Sequence, residues 1–252
     1  MLRIAVVFST PVAPSIHWGS LLHGMLMERL SPACQEVLHN GEVHSFSQWV
    51  EITKKDQFVW HVQAMDDELA KEMETVFSEK NVWRCKHLGC DFTPEDIQKQ
   101  SLSLAEYMKP FFLAEQAPAG LTVAFRTPCT HKVQGRYALF PSVELIGNSL
   151  RNHLCAISPS IALADDEVMD QVLRFTRISR YDLRSSVFHL EGAYVTGYTG
   201  RLELHFDGPD ALRRLSGVLF GIADWSGIGI KTALGMGGCT VKLLNRKGKN
   251  NE

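Results

Sequence analysis

The chain has 252 residues, of which 45% are hydrophobic and 21% are charged, a composition that supports one or two folded domains and excludes a disordered chain. The formal net charge is −2, so a nucleic-acid partner would have to bind a local basic patch rather than the molecule as a whole. Residues 1–14 lack the features of a secretory signal, no apolar run reaches membrane-spanning length, and six scattered cysteines suggest reduced thiols in a cytoplasmic protein.

The first part of the sequence predicts the element order βαββαβ, which is that of a ferredoxin-like domain. The predicted elements are a strand at 2–8, a helix at 17–40 that Pro32 divides, strands at 41–52 and 56–65, a helix at 66–80 and a strand at 81–92. Residues 97–120 carry no clear pattern.

A strand at 120–128 is predicted to end the first domain, because Pro128 stops it. We therefore expect an N-terminal domain at 1–128 and a C-terminal domain at 129–252. The second domain should combine a sheet with helices, from helices at 143–154, 165–173 and 208–227 and strands at 175–180, 187–190, 200–206 and 239–244. Residues 245–252 look like a frayed tail.

Residues 227–238 read "GIGIKTALGMGG", a run too rich in glycine for a regular helix or strand. The dinucleotide fingerprint fails because Thr232 stands where it needs glycine, and the P-loop fails because Ile230 precedes Lys231. The run also leads from a helix into a strand, so no nucleotide cofactor is expected. Two interpretations remain: bare backbone amides that bind phosphate together with Lys231, or an interdomain turn packed against the other sheet.

This run resembles the G-x-G-x-K-T-x-x-G-x-G loop of the CRISPR repeat-processing endoribonucleases of the RAMP superfamily. The matching residues are Gly227, Gly229, Lys231, Thr232, Gly235 and Gly237. Three further segments are similar to that family: "LHNGEVHSFS" at 38–47, "FRTPCTHKVQGRYALFPSVELIGNSL" at 125–150 and "TGYTGRLEL" at 196–204.

The resemblance implies an α+β fold of two tandem ferredoxin-like (RRM-like) domains and a cytoplasmic role. It implies metal-independent cleavage of CRISPR precursor transcripts within their repeats, with repeat RNA as the partner and no cofactor. A non-catalytic RNA-binding subunit of an interference complex is the alternative, and a homodimer and contacts with interference subunits are left open.

Histidine suits the proton transfers of such cleavage, because its unperturbed pKa is about 6.5. His39 occupies the family's Leu-His position and is the first candidate, with His44 as the second proton carrier or a phosphate ligand. The alternatives are that His39 caps a helix end and that His44 is an exposed strand residue. His17 and His23 are lesser candidates.

The chain departs from some family members near this site. Met27 stands at the position of a tyrosine, and no lysine occurs between His39 and Lys54. The cation that stabilises the reacting phosphate would then be Lys231 or an arginine from residues 174–184.

That stretch holds Arg174, Arg177, Arg180 and Arg184 with Phe175 and Tyr181. Such a set can follow an RNA backbone while its aromatic rings stack on bases, or it can be an ordinary solvated face. Cys85, His87 and Cys90 match no standard zinc spacing, so no metal site is expected.

Overall fold

The computed structural model describes residues 1–40, 45–190 and 192–244. Its strands are β1 Leu2–Ser9, β2 Phe46–Lys54, β3 Gln57–Ala64, β4 Trp83–Cys85, β5 Cys90–Ser101, β6 Gly120–Cys129, β7 His131–Val133, β8 Arg136–Ala138, β9 Thr176–Leu190, β10 Ala193–Phe206 and β11 Cys239–Leu244. Its helices are α1 Gly19–Met27, α2 Pro32–Asn40, α3 Asp67–Val76, α4 Leu104–Leu113, α5 Val143–Ile157, α6 Asp166–Arg174, α7 Asp210–Gly221 and α8 Ala223–Ser226. None of these described helices is long and apolar enough to cross a membrane.

The first sheet has the strand order β2-β3-β1-β5-β4, and its strands pair antiparallel. Along β1 the side chains alternate between buried and half-buried, because successive strand residues point to opposite faces. The buried face forms one core with apolar residues of the helices, among them Leu22 of α1 and Leu69 of α3. Arg3 is one of the half-buried residues on the opposite face.

The second sheet has the order β11-β6-β10-β9 and is also antiparallel. Its core combines Leu121 and Leu202 of the strands with Leu150 of α5 and Leu219 of α7. Elements β6, α5, β9, β10, α7 and β11 repeat the βαββαβ order of the first half. The predicted α+β class with two tandem ferredoxin-like folds is confirmed.

Side-chain caps fix where several helices begin. The carboxylate of Asp66 accepts hydrogen bonds from two amides at the start of α3, and Asp165 does the same for α6. Ser103 and Glu106 form a capping box at α4. Helix α4, which carries Pro110 inside it, was not predicted, although its capping box is a start signal that can be read from the sequence.

The position of β6 bears on where the chain divides into domains. It lies between β10 and β11, with Phe125 opposite both Gly200 and Cys239, so it belongs to the second sheet. The boundary predicted at residue 128 falls inside this strand, and we propose that the chain divides between the end of β5 and the start of β6. A strand's sequence does not reveal which sheet it joins, because its partners are distant along the chain.

Three further predictions of strand extent were wrong. The strands predicted at 175–180 and 187–190 are one strand, β9, and β10 begins at Ala193 instead of residue 200. Polar residues on both faces of β9 hide the alternation that marks a strand. The strand predicted at 81–92 is the hairpin β4–β5, which turns at Gly89 with φ +64°. The predicted tail, 245–252, lies outside the described residues.

The glycine-rich loop (residues 227–238) lies between the two halves. The buried Gln48 of β2 donates from Nε2 to the carbonyl oxygens of Gly19, at 2.9 Å, and of Ala233, at 2.7 Å. A Cβ atom added to Gly19 would lie 1.9 Å from the carbonyl oxygen of Leu234. The loop is therefore an interdomain turn, as one of the two interpretations predicted.

Candidate nucleic-acid interface

The first candidate for catalysis, His39, is the penultimate residue of α2. Its side chain lies outside the described residues, and so does the whole of His44. The start of α2 is held by Gln35, whose Nε2 donates to the carbonyl oxygens of Met27 at 2.8 Å and Leu30 at 2.9 Å. The backbone thus places residue 39 at the end of a helix anchored to α1, and the roles of both histidines stay predictions.

His23 lies on α1, and its ring centroid is 5.8 Å from that of Phe46, the first residue of β2. Its side chain is half-buried. His23 therefore lies beside the strand that follows the segment containing His44.

His17 joins the residues before α1 to β9. Its ring stacks on His189 with the centroids 4.4 Å apart and the planes 8° apart, and its Nδ1 accepts the His189 amide at 3.2 Å. Burial, and then the neighbouring His189, lowers the pKa of His17. These contacts place His17 in the interface between the two halves, and the lowered pKa favours its neutral form.

Four glycines of the loop have positive φ, as a turn of this kind requires: Gly227, Gly229, Gly235 and Gly237. Their amides are already used within the protein. Gly229 donates to Ser149 Oγ at 2.9 Å, Gly237 to the Pro128 carbonyl at 2.9 Å, and Gly227 to the Ala223 carbonyl at 2.9 Å. The expectation that these glycines present bare amides is wrong, and any RNA contact by them stays a prediction.

The two polar residues of the loop motif differ in exposure. Thr232 is only 4% exposed, so its side chain does not reach the surface. Lys231 is exposed and has a left-handed backbone, with φ 59° and ψ 30°. Of the two, Lys231 is the residue that can reach a ligand.

All four predicted arginines are exposed. Arg174 lies in the last turn of α6, whereas Arg177, Arg180 and Arg184 lie on β9, which is an edge strand. Arg177 Nε is 3.0 Å from Asp207 Oδ2, so its charge is already paired. Arg180 and Arg184 are not among the ion pairs of the described residues.

The aromatic residues of this stretch have different roles. Phe175 is half-buried and covers Gly208, whose added Cβ would lie 2.8 Å from the Phe175 ring, so this ring is not free to stack on a base. Tyr181 is 58% exposed and meets Phe140, 59% exposed, edge to face with centroids 5.6 Å apart. Sequence reasoning named Tyr181 but missed Phe140 as its neighbour.

A cavity of about 440 Å³ lies between the open face of the first sheet and β11. Arg3 pairs with the Asp224 carboxylate there, and its guanidinium lies 4.4 Å from the Trp225 ring centroid. This cavity was not predicted from the sequence, although the alternation of β1 separates Arg3 from the core face.

His61 lines the same cavity and stacks on Trp49, with centroids 3.8 Å and planes 9° apart. Burial lowers the pKa of His61, while Glu51, whose Oε2 is 3.0 Å from the ring nitrogen, acts in the opposite direction. The cavity therefore combines a charged pair with a flat aromatic stack.

Within the three described ranges, no group of three or more histidine, cysteine or acidic residues is arranged to hold a metal ion. Cys85 and Cys90 face each other across the β4–β5 hairpin, and His87 is exposed at its turn.

The family model of the CRISPR-associated endoribonuclease Cas6 matches residues 123–239, from β6 to the start of β11. The CRISPR-associated endoribonuclease Cas6 of Streptococcus thermophilus is 26% identical over 251 residues, which cover 98% of this chain and 100% of that protein. The endoribonuclease of the same name from Mycobacterium tuberculosis is 25% identical over 231 residues, 90% of this chain and 72% of its own length.

Solved structures share the fold over almost the whole chain. A Cas6 product complex superimposes with a TM-score of 0.80 at 18% identity, covering 96% of this chain and 99% of the other. Thermus thermophilus Cas6 gives 0.72 at 19% identity, covering 96% and 98%. A RAMP protein binding different RNA substrates gives 0.60 at 16% identity, covering 97% and 100%.

Proposed function

We infer from these matches that the chain is a CRISPR-associated repeat-processing endoribonuclease of the RAMP superfamily, and we propose that it cuts CRISPR precursor transcripts within their repeats to give guide RNAs. This proposal rests on sequence similarity along the whole chain, since the Streptococcus thermophilus endoribonuclease aligns with 98% of it. The related product complex and RNA-binding RAMP protein support repeat RNA as the partner.

The proposed chemistry uses the 2′-hydroxyl of the substrate as the nucleophile. Its oxygen attacks the adjacent phosphorus, the bond to the 5′-oxygen breaks, and the products carry a 2′,3′-cyclic phosphate and a 5′-hydroxyl. One proton leaves the 2′-oxygen and one reaches the departing 5′-oxygen. No metal enters this scheme.

In this proposal His39 carries a proton, because it follows the family's Leu-His pattern at the end of α2. A well-placed acid or base contributes about 10²–10⁴-fold. His44 is the proposed second proton carrier or phosphate ligand. A cation close to the phosphorane would stabilise its negative charge, and the exposed Arg180 and Arg184 are the proposed sources.

We further propose that the protein acts in the cytoplasm, where the transcript is made. A second copy of the chain and the subunits of an interference complex are partners to be tested by mixing the purified proteins and measuring their mass in solution.

The test is cleavage of a repeat RNA in EDTA by the wild-type chain and by His39→Ala. We expect metal-free cleavage by the wild type, a loss of about 10²-fold or more in His39→Ala, and no cleavage of an RNA with a single 2′-deoxy sugar at the cut site. His87→Ala is the matched control, because His87 is exposed at the β4–β5 turn.

Cleavage that needs a divalent metal, or that persists on the 2′-deoxy RNA, would rule out this chemistry. Tight binding of the repeat without turnover, unchanged in His39→Ala, would instead support the non-catalytic RNA-binding subunit.

A further inference from the structure

A second surface cavity, of about 290 Å³, lies beside the glycine-rich loop. We call it the loop cleft, and its polar walls are Lys132 of β7, Asn148, Ser149 and Asn152 of α5, and Gly229 and Lys231 of the loop. His131 and His153 are buried where they line it. No aspartate or glutamate belongs to the described lining, so the cleft is electropositive.

The two lysines supply the charge of the loop cleft. Both Lys132 and Lys231 are exposed, and neither is among the ion pairs formed by the described residues. The two lysines line the cleft from different elements, β7 and the loop. An anion placed between them would be attracted by both.

The backbone of Lys231 is held at a conformational cost. Among the described residues only Gln134 and Lys231 combine a side chain with a positive φ. Gln134 precedes Gly135 in the β7–β8 hairpin turn, where such angles are usual. The left-handed region costs a residue with a side chain about 1 kcal/mol or more, and such outliers cluster at ligand sites. Glycine would fit at position 231 without this cost, but it would remove the ammonium group.

The glycine-rich loop forms the wall of the loop cleft opposite α5, and hydrogen bonds hold this wall in place. The cleft therefore exists without a ligand. Ser149 Oγ accepts the Gly229 amide at 2.9 Å, and the Thr130 carbonyl accepts the Ile230 amide at 3.0 Å. A Cβ added to Gly229 would lie 2.3 Å from the Thr130 oxygen, so the loop fits against β6 and β7 only with glycine there. The Ser149 hydroxyl keeps its own proton to donate.

The exposed face of α5 supplies neutral donors and acceptors. Asn148 and Asn152 are four residues apart and therefore lie on one face of the helix, and both are exposed. Carboxamides of this kind can bond to a sugar hydroxyl or a base edge next to a phosphate. The set of two ammonium groups, two carboxamides and a hydroxyl suits one nucleotide unit better than a free metal cation or an apolar ligand.

We propose that the loop cleft binds one uncleaved phosphodiester of the RNA, with Lys132 and Lys231 on the phosphate and Asn148 and Asn152 on the adjoining sugar or base. This assignment rests on the proposed function, since it takes RNA as the ligand. The cleft then anchors the RNA strand. Its lysines raise the affinity for RNA and do not change the rate at which bound RNA is cleaved.

The experiment measures the affinity of the full chain for a repeat RNA with a 2′-deoxy sugar at the cut site, at several salt concentrations. Lys231→Asn keeps a residue that tolerates the left-handed region and removes the charge. We expect a loss of roughly five- to tenfold in affinity and a salt slope shallower by about 0.7. Lys132→Gln should behave alike, while Lys109→Gln on α4 is the matched control and should change neither value.

Lys231→Gly guards against a folding artefact, because it relieves the backbone cost. It should bind RNA as weakly as Lys231→Asn and yet resist urea at least as well as the wild type. In cleavage assays both variants should raise KM and keep kcat. RNAs with one uncharged methylphosphonate should identify a single linkage whose neutralisation weakens the wild type but not Lys231→Asn.

Suppose that the wild-type chain cleaves the repeat and that the lysine variants bind RNA with the affinity and salt slope of the wild type. This result would overturn the loop-cleft proposal but not the proposed function. A fall in kcat at unchanged KM would overturn the anchoring role and place Lys231 at the reacting phosphate. A wild-type chain that neither binds nor cuts the repeat would overturn the proposed function, and this proposal with it.

Discussion

Gly229 shows how one residue fixes the glycine-rich loop. Its φ is +86°, and an added Cβ would lie 2.3 Å from the Thr130 carbonyl oxygen. Gly24 on α1 has open space around it, with nothing within 4 Å of an added Cβ. The two positions therefore predict opposite effects of the same substitution.

We expect Gly229→Ala to lower the free energy of unfolding by at least about 2 kcal/mol, because a strained backbone and a steric clash add up. Gly24→Ala should raise it by about 0.5–1 kcal/mol, because alanine is the better helix residue. Urea denaturation of both variants measures this, and equal stabilities would show that the loop can move away from Thr130.

His131 should make stability depend on pH. Its ring is buried, with Nε2 3.2 Å from the Tyr198 hydroxyl, and burial lowers its pKa to about 4. In the unfolded chain a histidine titrates near 6.5, so between these values the unfolded state binds more protons. Stability is thus complete above about pH 6.5 and falls as the pH drops towards 4, by about 3 kcal/mol. His17, whose pKa is also lowered, acts in the same direction.

The measurement is urea denaturation of the wild type and His131→Gln at several pH values from 7.5 to about 4.5. The variant lacks the titrating group, so its stability should fall less steeply with decreasing pH. Parallel curves for the two proteins would mean that His131 is not the responsible group.

At the scale of elements, β9 carries the charge that the whole molecule lacks. It is an edge strand of 15 residues, and its arginines differ in pairing. Arg177 already contacts Asp207, whereas Arg180 and Arg184 are exposed and outside the ion pairs of the described residues. A phosphate would have to compete for Arg177 but not for the other two.

We predict that Arg180→Gln and Arg184→Gln each weaken repeat-RNA binding and make the salt slope shallower by about 0.7, because each removes one phosphate contact. Arg177→Gln should have a smaller effect, because Asp207 neutralises it beforehand. Filter binding at several salt concentrations measures the loss of affinity in each variant. If Arg177→Gln weakened binding as much as Arg180→Gln and Arg184→Gln, the ion pair with Asp207 would not explain a difference between these arginines.

Local patterns explain which elements the sequence predicts well. Strand β1 alternates strictly and α3 has an acidic cap, so both are visible within a few residues. The sheet to which β6 belongs and the continuity of β9 depend on partners far along the chain. At the candidate site, the positive φ of the loop glycines follows from their number, but the use of their amides by Ser149 and Pro128 could not be predicted from the sequence.

At the scale of the molecule, Gln48 ties the halves together. It is 1% exposed, its Oε1 accepts the Trp60 indole N–H at 2.6 Å, and its Nε2 reaches Gly19 and Ala233. The side chain thus satisfies polar groups of β3, α1 and the glycine-rich loop at once. Removing it would leave several buried groups without partners.

We expect Gln48→Ala to lower the free energy of unfolding by about 3 kcal/mol, since each orphaned buried group costs about 1–3 kcal/mol. The substitution removes hydrogen bonds from both halves, so both should lose stability together. Urea denaturation followed by tryptophan fluorescence and by circular dichroism should therefore still show one transition. Gln98→Ala, at an exposed position of β5, is the control and should stay within about 0.5 kcal/mol. Two separated transitions in Gln48→Ala would mean that the halves fold independently.

The close approach of Gly19 to the turn at Leu234 limits how far the two halves are interchangeable. There the main chain of one half touches the main chain of the other, with the Gly19 Cα 3.0 Å from the position of a Cβ on Gly235. A hybrid that joined the first sheet of one relative to the second sheet of another would meet at a seam with no side chain to absorb a mismatch. The fold is repeated, but the two copies are not exchangeable parts, and a productive hybrid would have to carry both sides of this seam from the same parent.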